Sequence, residues 1–214
     1  MRRIRRARGL AVVLAAAVIA ALALTLVPGA QAVKGKPAAP PAAAADVLLY
    51  RGATTVALDP GAAAALTSLG VTVAPTGSAY ASKAGIRFPI TLGVVDATDL
   101  TGQIRHSGGL VLAKGKTKVY LSRFFIDIDE TPSLSGKVGA AFGTGSRADL
   151  FSLDLSALKV DAGKRHIALS GVTLKLTAGA AAALNGAFGT DAFTEGLVLG
   201  TASVKARTWA VPAS

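Results

Sequence analysis

The chain of 214 residues has no cysteine, only two histidines, one tryptophan and one methionine. The missing thiols exclude disulfides, thiolate nucleophiles and cysteine metal sites together. They also leave no cysteine to carry a lipid. Catalytic signatures are absent as well. There is no Gly-x-Ser-x-Gly elbow, no His-Glu-x-x-His and no phosphate loop. A carboxylate pair such as Asp127 with Asp149 or Asp154 is the remaining glycosidase-like arrangement, and nothing in the spacing sets it across a cleft. The expectation is therefore a protein that is not an enzyme, with no catalytic and no metal-ligating residues. Aromatics make up only 5% of the chain. Its core must come from Val, Leu, Ile and Ala, with Phe88, Phe124, Phe125, Phe142, Phe151, Phe188 and Phe193 as large fillers.

What is present begins with an address. Arg2, Arg3, Arg5, Arg6 and Arg8 precede an uncharged run of 18 residues from Leu10 to Val27. Pro28-Gly29 then breaks any helix, and Ala30-Gln31-Ala32 offers small residues for cleavage. Residues 1–32 read as a signal peptide, which predicts a secreted or cell-surface protein. The same run is just long enough to span a bilayer, so an uncleaved anchor of the same orientation is the alternative. Residues 33–45 are rich in Pro and Ala and read as an extended linker. Residues 46–214 then form one domain, large enough to bury roughly 70% of its unfolded surface.

The formal net charge of +11 overstates the mature chain. Without the five leader arginines, 18 Lys and Arg stand against 12 Asp and Glu, a net +6. The one dense basic stretch is Lys114-Gly-Lys116-Thr-Lys118. No aromatic side chains are interleaved there, so it reads as a solvated hairpin tip and no nucleic-acid partner is expected. Mild basicity suits anionic cell-wall polymers, and wall or envelope proteins are the expected macromolecular partners.

The domain echoes itself. Leu58-Asp-Pro-Gly-Ala-Ala-Ala-Ala-Leu66 returns as Leu176-Thr-Ala-Gly-Ala-Ala-Ala-Ala-Leu184, identical at seven of nine positions. Each copy follows an alternating strand-like run and starts with an N-cap, Asp59 or Thr177. Gly70 and Gly189 are the expected helix ends. Between the copies, alternating runs separated by Gly-rich turns recur: 102–108, 110–112, 118–128, 136–142, 147–155 and 166–170. The whole predicts a mainly β fold, an antiparallel β-sandwich or partly closed barrel. Two short Ala-rich helices belong to the internal pseudo-repeat.

Leu100-Thr-Gly-Gln-Ile-Arg-His-Ser-Gly-Gly-Leu-Val-Leu112, followed by Val119-Tyr-Leu-Ser-Arg-Phe-Phe-Ile126, resembles part of the Htaa domain. The late Leu174–Leu184 stretch resembles that family's closing Leu-Thr-Ala-x-Gly-Ala segment. The family occurs in secreted and wall-anchored haem-uptake proteins of corynebacteria and relatives. The resemblance implies a β-rich haem-binding module, with haem capture linked to a tyrosine and a histidine. The histidine carries over onto His106. The family's opening Trp-Gly-x-Lys-x-Ser-Phe-Arg segment, with its tyrosine, is absent.

From the residues alone, His106 is the leading ligand candidate, because a neutral imidazole can ligate ferric iron. Gly108-Gly109 would let a planar group approach the backbone. The alternative is a turn histidine bonded locally. Tyr120 is the second candidate, placed on a neighbouring strand if a hairpin turns at Lys114-Gly115. Tyr80 sits in a loop-like segment, and His166, after Lys164-Arg165, should face solvent. The run Asp127-Ile-Asp129-Glu130 lacks calcium-loop glycine spacing. Two functions follow: a cell-envelope binding module for haem or another small ligand, or a structural or interaction domain with no ligand. The membrane enters only through the N-terminal segment, if uncleaved.

Overall fold

The computed structural model describes residues 46–210; the signal-peptide and linker expectations lie outside them. The elements are β1 (Asp46–Leu58), α1 (Pro60–Ser68), β2 (Thr72–Thr76), β3 (Tyr80–Ser82), β4 (Gly85–Asp96), β5 (Gly102–His106), β6 (Gly109–Lys114), β7 (Thr117–Ile128), β8 (Ser133–Gly139), β9 (Ser146–Asp154), β10 (Lys159–Gly163), β11 (His166–Leu176), α2 (Ala178–Phe188) and β12 (Val198–Ala210).

Eight strands close a ring in the order β1, β4, β5, β7, β8, β9, β11, β12. Every neighbouring pair in it is antiparallel. Sequence patterning left sandwich and barrel open, and one long-range bridge together with one hairpin decides for the barrel. β1 bridges β4 and β12, and β7 meets β8. Closure removes most free edges, which is how such sheets avoid edge-to-edge association. β2 and β6 extend from β7, β3 lies on β4, and β10 lies on β11.

Bulges bend the strands and reset which residues face inward. Arg51 (φ 48°) sits at the shift between Tyr50 and Gly52, and Arg123 (φ 52°) at the shift between Ser122 and Phe125. Before the second bulge Val119 and Leu121 face the apolar interior, and after it Phe124 and Ile126 do. On β9, Leu150 and Phe151 are both buried although adjacent. Strict alternation would put them on opposite faces. Leu150 is the extra residue of a bulge in β9, skipped between the pairs Leu134–Phe151 and Ser135–Asp149, and that accounts for the break.

The pseudo-repeat forms two strand-to-helix units. Asp59 Oδ1 accepts from the Gly61 and Ala62 N–H groups at 2.8 and 3.0 Å, and Thr177 Oγ1 from Ala180 N–H at 3.1 Å. Gly70 (φ 68°) follows α1, and Gly189 (φ 60°) caps α2. β1 and β11 are both antiparallel to β12, so they run in the same direction. Both helices therefore leave the barrel at the same end. α2 buries Ala180, Ala181, Leu184 and Phe188, with Phe193 packed against Phe188 at 6.4 Å between ring centroids. Leu49 and Ile104 are wholly buried. Each such side chain contributes about 1.5–3 kcal/mol relative to exposure.

Candidate functional site

His106 is the last residue of β5 and is buried, with 6% of its surface exposed. It is therefore an inward strand residue and not a turn histidine. Two features put it there. Ile90 of β4 is its cross-strand partner, and the ladder to β4 continues past it through Ser107 N–H, which donates to the Pro89 carbonyl at 3.0 Å. Gly108 follows at φ 81°, where the chain passes directly against the Ala79 backbone. No side chain fits at that approach, so only glycine allows β5 to end and β6 to begin there.

Inside the barrel, His106 Nε2 lies 2.7 Å from Thr54 Oγ1, and Thr54 is 3% exposed. His106 Nδ1 is buried and has no hydrogen-bond partner. Burial pushes the imidazole pKa down to about 4, and a backbone group of Phe124 opposes part of that shift without making a bond of good geometry. The ring is therefore neutral at physiological pH. The Thr54 hydroxyl can donate or accept, so it fixes the ring angle and leaves the tautomer open: with Nε2–H donating, the lone pair sits on Nδ1.

A cavity of about 130 Å³ lies beside this pair. Its wall is otherwise almost wholly apolar, including Val56, Phe88, Phe124, Ile126 and Leu174. Phe88 and Phe124 meet edge to face at 5.2 Å and 86°. A second apolar space of about 380 Å³ lies between α2 and the sheet. The two share Leu58, Val73, Leu110, Phe151 and Leu199 as lining. An eight-stranded barrel is just wide enough to fill with side chains or to hold one small ligand.

Tyr120 is not brought to His106. It pairs with Val111 and Gly139, and its neighbours Val119 and Leu121 take the inward positions. Tyr80 lies on β3, not in a loop, is 48% exposed and carries Arg87 at 5.7 Å from its ring. His166 is exposed and sits 3.8 Å from Asp161. Asp127 accepts from Gln103 at 3.3 Å, while Asp129 closes a local turn onto Thr131 N–H. Among the described residues, no three His, Asp or Glu side chains gather as for a metal ion. Thr54 is the residue that sequence reasoning missed. It stands 52 positions from His106, and no local signal marks it.

No protein-family model matches the chain, and no curated protein matches it in sequence. Solved structures do match. The C-terminal domain of HtaA from Corynebacterium glutamicum superposes with a TM-score of 0.59 at 18% identity, over 76% of this chain and 99% of that one. The N-terminal domain of HtaA from the same organism gives 0.50 at 15% identity, over 74% and 97%. The heme binding protein HtaB of that organism gives 0.46 at 12% identity, over 78% and 96%. The chain shares the HtaA-domain fold, so the Htaa resemblance seen in sequence holds at the level of architecture.

Proposed function

We propose that this chain is an exported cell-envelope binding module that takes haem without catalysing a reaction, with His106 as the iron ligand. The observation that carries this reading is a buried, neutral imidazole in an apolar barrel whose Nδ1 makes no hydrogen bond of good geometry. A buried polar atom left without a partner costs stability, so its retention points to a partner supplied from outside. The shared HtaA-domain fold and the Htaa motif around His106 support the same assignment.

The donor chemistry fits haem, whose ferric iron supplies an acceptor for a neutral imidazole nitrogen. The cavity beside His106 is smaller than the roughly 300–1,000 Å³ of ordinary ligand sites. Admitting a macrocycle therefore requires the side chains shared with the neighbouring space, Leu58 and Phe151 among them, to turn aside. In this reading Thr54 holds the imidazole, and Phe88 and Phe124 exclude water. Tyr120 has no part in it, because it stands outside the cavity wall.

Hemin titration tests the proposal. Wild-type protein should shift the Soret band at micromolar hemin, and His106→Ala should weaken binding roughly tenfold or more, the size expected on losing a metal-bound donor. No shift in the wild type, or an unaltered shift in the variant, overturns it. The smallness of the His106 cavity favours the second reading, an envelope structural or interaction domain without a ligand, and a null titration would leave that one standing. Cell fractionation checks the export component separately.

A further inference from the structure

The barrel's outer wall holds a cationic cluster that the sequence scatters over 43 positions, from Arg105 to Arg147. Arg105 on β5 lies directly opposite Phe125 on β7, with its guanidinium 4.8 Å from the ring centroid. Arg147 on β9 covers the same ring at 4.3 Å. Lys137 on β8 is the cross-strand partner of Arg147. Arg123 occupies the β7 bulge and presents its carbonyl to Arg147 at 3.1 Å. Arg147 also donates to Ser135 Oγ at 2.9 Å.

Like charges placed directly opposite each other on a sheet destabilise it. Here Lys137 faces Arg147, and Arg105 and Arg147 converge on one ring. Relief by direct ion pairing is not supplied. The ion pairs among the described residues are His166–Asp161 and Lys175–Asp154, and none of these four cations takes part. Asp149 stands in the same cross-strand row as Ser135, Phe125 and Arg105, and Asp127 one row away, so the four cations outnumber the two carboxylates among them and the face stays net positive. Arg147, moreover, is held by two hydrogen bonds and a ring, so its remaining N–H groups are presented without further loss of side-chain freedom. A guanidinium in that state is suited to bidentate contact with phosphate oxygens.

We infer that this face, where Arg105 and Arg147 cover Phe125 and Lys137 and Arg123 adjoin Arg147, is a docking surface for a phosphate-rich, non-aromatic polyanion. The aromatic ring decides against nucleic acid. Single-stranded binders use exposed aromatics as base-stacking platforms, and here both guanidinium groups already lie over the one ring available. A flexible chain of phosphates needs only the array of cations. The surface lies on the outside of the barrel and works independently of any ligand within it.

Long-chain polyphosphate is the probe, titrated against the purified full chain at low and raised salt. Wild-type protein should bind it with an affinity that falls steeply with salt. The Arg105→Gln/Arg147→Gln pair should lose affinity roughly tenfold or more, as expected when charge-assisted contacts go. A control variant, Lys114→Gln/Lys116→Gln/Lys118→Gln in the β6–β7 hairpin, should stay within about twofold, because it leaves the cluster intact. Lys137→Glu keeps the fold testable, since it exchanges repulsion from Arg147 for attraction. Its melting temperature should hold or rise while polyphosphate binding falls. Absence of wild-type binding overturns the proposal, as does loss in the hairpin control instead of the arginine pair. Tighter binding of oligothymidylate or of anionic vesicles than of polyphosphate overturns it too.

Discussion

Replacing His106 by Leu should remove most of the mildly acidic sensitivity of this barrel. In the folded protein burial holds the imidazole pKa at about 4, against 6.5 for the free side chain. The unfolded chain therefore takes up a proton between those values and the folded chain does not. Folding stability is complete above pH 6.5, falls as pH drops from 6.5 to 4, and loses nothing more from this group below that. Worked between pH 7.5 and 4.5, the loss is about 2–3 kcal/mol. His106→Leu abolishes that contribution. At neutral pH it also strands the Thr54 hydroxyl in the barrel, at a cost of about 1–3 kcal/mol. Thr54→Val/His106→Leu removes both polar partners together, and should recover most of that loss. Urea unfolding at the two pH values, fitted with a common slope, reads all three proteins. Equal pH sensitivity in wild type and His106→Leu would refute the reasoning, because carboxylate titration common to both would then account for it.

Three further outcomes follow from the same geometry. Asp154 accepts from Lys175 Nζ at 2.8 Å and from Ser156 N–H at 2.9 Å, and these bonds hold its carboxyl well below the usual carboxylate range. Its contribution to stability is present above 3.8 and fades as pH falls, so NMR titration should find it ionised below that value in the wild type. In Lys175→Met it should titrate higher, and an ordinary wild-type midpoint contradicts the assignment. Gly108→Ala drives a methyl group into the Ala79 backbone at φ 81°, so the thermal midpoint should drop sharply or the protein should fail to fold. An unchanged midpoint would show that the β5–β6 break is not held as described. Leu49→Ala empties a wholly buried position and should cost about 2–5 kcal/mol in chemical denaturation, a large share of a typical domain's stability.

Much of the local structure was legible in the chain. Asp59 and Thr177 were identifiable as N-caps because a short oxygen-bearing side chain before an alanine run can satisfy free N–H groups nowhere else so cheaply. Gly70 and Gly189 marked helix ends for the complementary reason that both adopt positive φ. The turn near Lys114-Gly115 also followed from composition, and β6 and β7 pair as far as Lys114 and Thr117. The candidate site was half legible. His106 stood out by chemistry, but Thr54 did not, and Tyr120 was placed near His106 on strand proximity alone. The strand placement holds, since β7 pairs with β5, but Tyr120 alternates with the inward Val119 and Leu121, and the Arg123 bulge moves the inward set on to Phe124. A period of two carries no warning of such a slip.

By itself, the chain determined what depends on neighbours in sequence: the caps, the turns, the thiol-free chemistry and the β-rich character. Barrel closure rests on the pairing of β7 with β8 and on β1 lying between β4 and β12. The β1 contacts join residues far apart in the chain, the β7–β8 hairpin closes the ring only once they are in place, and alternation is equally compatible with a sandwich. The encounter of Thr54 with His106, and the meeting of Arg105 and Arg147 over Phe125, belong to the same class. Both arise where adjacent strands bring distant positions into register, and only the closed sheet sets that register.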